Sequence, residues 1–171
     1  LGEGVKYDFG SDNVRMVCDN IKYVAFEDTY GTDSDTKYYQ MRWNCHEEDN
    51  TPFVYDVLES AFEISSAANS AINLVEYKDL LYDVFGISKI YSLKLSMLSS
   101  GERRKLHLIR ALLSNPKLLI IDNPFIGLDS QARILLVESL ELLVNKIGLQ
   151  IILVVSRDND IPNFITHVVK V

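Results

Sequence analysis

A repeated change of hydrophobic period in the last third of the chain restricts its fold more than any other feature. Glu102 to Leu113 carries apolar residues at helical spacing, and Leu118 to Ile121 is a short unbroken apolar run that ends in Asp122. Ser130 to Asn145 returns to the helical period, Ile151 to Val155 is a second apolar run, and Val168-Val169 lies near the end. Short apolar runs alternating with helices require crossover connections, so the fold class is α/β with a mainly parallel sheet. In such sheets ligands bind outside the carboxyl ends of the strands, which makes Asp122 a candidate before any motif is considered.

Upstream, Val14 to Val17 and Ile21 to Phe26 are strand-like and are separated by Cys18-Asp19-Asn20, so a hairpin is the simple expectation. Residues 28 to 52 are polar and irregular around Tyr38, Tyr39 and Trp43, as in a long loop. From Phe53 to about Ser96 apolar residues recur at three- and four-residue steps, predicting amphipathic helices with Gly86 as a C-terminal stop.

Composition removes several function classes. With 17 Lys+Arg against 24 Asp+Glu the net charge is −7, which argues against a general binder of nucleic-acid backbones. No apolar run reaches the roughly 20 residues of a membrane-spanning helix. Cys18 and Cys45 have no metal-type spacing and are expected to be reduced thiols of a cytoplasmic protein. His46, His107 and His167 have no spacing suited to zinc or to a nucleophile triad.

The chemistry concentrates between residues 98 and 129. In Leu98-Ser99-Ser100-Gly101-Glu102, Ser99 and Glu102 stand three apart as a capping box, which can organise a helix N-terminus whose free amides attract phosphate. Gly101 leaves room for a phosphate oxygen and Ser100 offers a hydroxyl donor. The same Ser-x-x-Glu pattern also serves as a plain helix cap, and the apolar run before Asp122 also reads as a core strand ending in a turn-forming Asp-Asn-Pro. Arg103, Arg104, Lys105 and Arg110 read as the solvated face of the helix, with no catalytic role.

Taken in order, LSSGE, a basic helix, Asn115-Pro116, LLIIDNP and Gly127-Leu128-Asp129 resemble the ATP-binding-cassette (ABC) ATPase family, whose signature motif is written LSGGQ and whose Walker B motif is four apolar residues followed by Asp-Glu-Pro. The resemblance spans about residues 5 to 171. It implies an ABC-type P-loop NTPase fold, a parallel-rich sheet flanked by helices, with a helical subdomain at about 53 to 98 and the signature-to-switch region at 98 to 158. It implies ATP and Mg²⁺ as cofactors, with Asp122 as the metal residue and Leu98, Ser99, Ser100, Gly101, Glu102 and Asp129 facing a nucleotide held by a second cassette. Gln40 is the candidate for the glutamine that bridges Mg²⁺ and the helical subdomain, and Glu27 competes with it. A membrane transporter subunit is a further implied partner, and a place at the inner face of a membrane follows from it.

Three departures from the family concern the nucleotide site on the chain's own body. No GxxxxGK(S/T) phosphate loop occurs in the 171 residues. Leu1 to Gly4 and Val5 to Phe9 resemble the segment just after the Walker A helix, so that loop is expected before residue 1, and the chain alone is expected to bind ATP poorly. The Walker B glutamate is replaced by Asn123, which can hydrogen-bond a water and cannot accept its proton. Where the family has Thr-His-Asp after the last strand this chain has Ser156-Arg157-Asp158, so Arg157 stands for the switch histidine, either holding phosphate without relaying protons or simply exposed on a loop. The Asn123 and Ser156-Arg157 pattern is most similar to the N-terminal half of tandem cassettes related to the molybdenum-transport ATP-binding proteins. Three functions follow as expectations: an ATPase energising transport, a non-catalytic regulatory cassette that completes a partner's site, and a docking surface on the helical subdomain.

Overall fold

The computed structural model describes residues 20–26, 51–68 and 74–170, and of 66–68 the backbone alone. Three parallel strands form its sheet: β1 (Ile21–Ala25), β2 (Leu118–Asp122) and β3 (Gln150–Val154), in the order β1-β2-β3. Helix α1 (Val54–Ala68) and α2 (Leu74–Phe85) precede β2, as does α3 (Ser100–Leu112), and α4 (Ser130–Ile147) crosses from β2 to β3.

The register sets the chemistry of each face. Ala25, Asp122 and Val154 lie side by side, as do Tyr23, Ile120 and Ile152. Alternation sends Val24, Leu119 and Ile121 into the core, while Tyr23, Ile152 and Val154 lie exposed on the same face as Asp122. The buried strand residues form one cluster with Leu58 of α1, Leu81 of α2, Leu108, Ile109 and Leu112 of α3, and Leu140 and Leu143 of α4.

Helices α1 and α2 are therefore tied to the sheet through α3 and α4. The Tyr77 hydroxyl donates to the Leu112 carbonyl at 3.0 Å, and the Ser139 hydroxyl donates to Val84 O at 3.3 Å. The entry of α1 is fixed by backbone bonds from Val54 N to Leu93 O (2.9 Å) and Leu95 N to Pro52 O (3.0 Å). Helix α2 stops where Gly86 turns to φ +63°, a conformation that costs a residue with a Cβ and costs glycine nothing.

Most expected elements are present, with shifted ends. The parallel sheet of α/β type is observed, and α3 begins at Ser100 because the Ser99 cap starts the helix two residues before Glu102. Val168 and Val169 are exposed and form no strand. The Val14–Val17 arm of the expected hairpin and the loop at 28–50 lie outside the described residues, while β1 itself pairs in parallel with β2. Among the described residues no helix is long and apolar enough to cross a membrane.

Candidate nucleotide site

The signature segment is a built helix start. Ser99 caps α3: its hydroxyl accepts from Glu102 N at 3.3 Å, and the Glu102 carboxylate accepts from Ser99 N at 2.8 Å and from the Ser99 hydroxyl at 2.7 Å. Ser100 is exposed in the first turn, and Leu98 is buried beneath it. Gly101 is half-buried, and a Cβ there would meet Leu128 Cδ2 at 3.7 Å and Ala132 Cβ at 3.9 Å, which are ordinary contacts. Packing alone therefore does not require glycine at this position.

Asp129 caps α4, its carboxylate accepting from Ala132 N at 2.7 Å. The signature helix start thus packs against the segment that opens the next helix. Gly101 lies beside Leu128 and Ala132, which flank the Asp129 cap.

Asp122 ends β2, and its Oδ2 accepts a hydrogen bond from the Tyr23 hydroxyl at 3.0 Å. Register explains the meeting, since Tyr23 stands diagonally two residues from Asp122 on the same sheet face. The next residue, Asn123, adopts φ +51°, and its N–H donates to Val154 O at 3.0 Å, locking the turn to the end of β3. Asn tolerates this left-handed conformation better than most residues. One hard carboxylate oxygen donor at a strand end suits Mg²⁺, which keeps several waters and takes one or two carboxylates plus substrate phosphates. Among the described residues no group of three or more His, Cys, Asp or Glu gathers into a cage.

Arg157 is exposed and precedes a 3₁₀ turn at Asp158–Asp160, on the segment leaving β3 beside the Asn123 turn. Gln40 and Glu27 lie outside the described residues.

One expectation is corrected. Arg103, Arg104 and Lys105 do not form a solvated face: all three are half-buried, and only Arg110 of the four is exposed. The Arg104 guanidinium lies 4.9 Å from the Phe26 ring centroid and donates to Pro124 O at 3.5 Å, and the Arg103 Nε donates to Leu98 O at 3.2 Å. The Arg104 stem thus lies between α3, the end of β1 and the turn after β2, and Arg103 folds back on the residue before the α3 cap. Gly127, at φ +64°, passes beneath Arg104, whose Nη2 lies 3.4 Å from where a Cβ would stand.

Three features define the class: a parallel sheet delivering a carboxylate at a strand end, a capped helix start presenting free amides, and a second capped helix packed beside it. The family model for ABC transporters matches residues 12–126, about two thirds of the chain, and the chain belongs to that family. It is 43% identical over 81 residues to the ABC transporter ATP-binding protein ModF of Escherichia coli, covering 47% of this chain and 16% of that protein. It is 42% identical over 69 residues to the zinc import ATP-binding protein ZnuC of Acinetobacter baylyi, covering 40% and 27%. It is 27% identical over 112 residues to the molybdenum import ATP-binding protein ModC of Pseudomonas fluorescens, covering 66% and 30%. The chain thus spans less than a third of the length of these relatives. Its fold is similar to that of cbiO1 from Clostridium perfringens, described as part of the ABC transporter complex cbiONQ. The TM-score is 0.56 at 20% identity, over 85% of this chain and 51% of that one.

Proposed function

We propose that this chain is the signature and Walker B portion of an ATP-binding cassette that works in a cassette dimer to energise transport. The observation that carries the reading is the exposed start of α3, where the Ser99–Glu102 capping box leaves Ser100 and the first-turn amides directed outward beside the Asp129 cap. In this reading that end grips the γ-phosphate of ATP bound to the second cassette, with the helix dipole adding to the attraction. Asp122 supplies the carboxylate for Mg²⁺ on the chain's own body, held in orientation by Tyr23. Arg157 approaches the phosphate end of the same nucleotide.

The chain's own site is the weaker of the two. Asn123 can orient a water through its amide, and with no carboxylate at this position the proton has no local acceptor. That observation favours a second reading, a regulatory cassette that completes its partner's site and hydrolyses nothing itself. A tandem arrangement in one polypeptide and a membrane subunit docking on the α1–α2 region belong to the same proposal.

Turnover measured in the intact assembly with the partner half inactivated separates the two readings. Residual ATP hydrolysis supports a working cassette, and its loss with nucleotide binding retained supports the regulatory one. Absence of MgATP binding to the intact protein would defeat both.

A further inference from the structure

Arg133 is placed where a helix least favours a cation, in the first turn of α4 four residues after the Asp129 cap, against the positive end of the helix dipole. Its guanidinium carbon lies 4.4 Å from the ring centroid of Phe125, and its Nη2 pairs with the Asp160 carboxylate. Both partners are substantially sheltered, with side-chain exposures of 35% for Arg133 and 18% for Asp160, so the pair is less screened than a surface ion pair.

Each contact anchors a different segment. Phe125 sits in the turn that follows Asn123, where Ile126 N donates to Asn123 O at 3.3 Å and Leu128 N donates to Phe125 O at 3.3 Å. Asp160 closes the 3₁₀ turn whose cap is Arg157, through its own N–H to Arg157 O at 3.0 Å. One side chain therefore spans the start of α4, the Asn123 turn and the Arg157 turn.

We infer that Arg133 is a positioning residue that holds the Arg157 turn in register with the Asn123 turn, acting through Asp160 and Phe125 without touching nucleotide. The catalytic part of the inference rests on the reading that Arg157 and Asn123 face the chain's own nucleotide. The structural part does not. A stacked, forked guanidinium suits this task better than an ammonium on charge alone would, because it meets the ring face and the carboxylate together.

The test uses the full-length protein with Arg133→Gln and the conservative Arg133→Lys. Amide hydrogen exchange over residues 156–161, measured without nucleotide, is expected to rise at least about fivefold in Arg133→Gln, with the core strands unchanged, and to rise less in Arg133→Lys, which keeps a charge for Asp160 and loses the stacked fork. Hydrolysis at this half, measured in the intact assembly with the partner half inactivated, is expected to lose roughly tenfold or more in kcat in Arg133→Gln, while the KM for MgATP moves less than about twofold. Unchanged exchange over 156–161 overturns the inference, as does an equal rise throughout the protein, which would make Arg133 a general stabiliser. A wild-type half that turns over no ATP supports the regulatory reading instead, and the exchange measurement alone then decides the role of Arg133.

Discussion

Asn123 carries two separate jobs at one position, a left-handed turn at φ +51° and an amide where the family has a carboxylate. Replacing it with Glu restores a proton acceptor, and general-base catalysis is worth ~10²–10⁴-fold, while forcing a Cβ-bearing residue without the Asn preference into αL costs about 1–2 kcal/mol. The catalytic gain outweighs the conformational cost. Asn123→Glu in the intact protein is therefore expected to raise single-turnover hydrolysis at this half with a modest loss of thermal stability, and no rise would mean that Arg157 or the partner's face limits the site. Among single residues, the Ser99–Glu102 capping box and the place of Asp122 at a strand end were legible, because each depends on neighbours within a few residues. Tyr23, Arg104 and Arg133 were not. Tyr23 reaches Asp122 across 99 positions, a meeting created by strand register that no local spacing signals. The basic run on α3 misled for a related reason, since Arg104 faces the end of β1 and the turn after β2 rather than solvent.

Among the elements, α3 and α4 each begin on a side-chain cap that also belongs to the proposed ligand face. Removing a cap of this kind costs about 1 kcal/mol, or roughly 2–4 °C in a protein of this size. Ser99→Ala is expected to show that loss by calorimetry, whereas Asp129→Asn, an equally good cap, should leave the melting temperature unchanged. Loss of turnover in Asp129→Asn at unchanged stability would assign the carboxylate a role beyond capping. Where α2 meets α3, burial pushes the Tyr77 phenol well above its ordinary value of 10.0. The raised value gives stability that is complete below pH about 10 and is lost above it, because the unfolded chain ionises first. Denaturation midpoints followed from pH 8 to 11 should therefore fall more steeply for the native protein than for Tyr77→Phe, by up to one proton's worth of slope. An equal slope in both would mean that Tyr77 ionises freely in the folded state. Element types were readable from period alone, and ends from caps rather than from period: α3 starts at Ser100 and not Glu102 because the Ser99 cap, not the apolar pattern, sets the first turn.

For the molecule as a whole, the alternation of apolar runs with helices identified the parallel α/β sheet, and the order of motifs from Leu98 to Asp129 identified the family. What the sequence could not convey is how the parts are braced, which depends on contacts such as Tyr77 to Leu112 and Arg133 to Asp160. If the start of α3 acts on a nucleotide held by a second cassette, Gly101→Asp must disable the assembly without unfolding it. A Cβ at Gly101 makes only ordinary contacts, and an added carboxylate in the first turn favours the helix by about 0.3–1 kcal/mol. Folding is therefore expected to be kept or improved while a charge is placed where the γ-phosphate must approach. Asn123→Gly serves as the comparison, since it removes the amide and tolerates the left-handed turn. ATPase turnover and melting temperature are measured together on the intact assembly. Gly101→Asp is expected to abolish turnover at an unchanged or raised melting temperature, with Asn123→Gly costing much less. Full turnover in Gly101→Asp, or an equal loss in Asn123→Gly, would contradict a signature end that serves the partner's nucleotide.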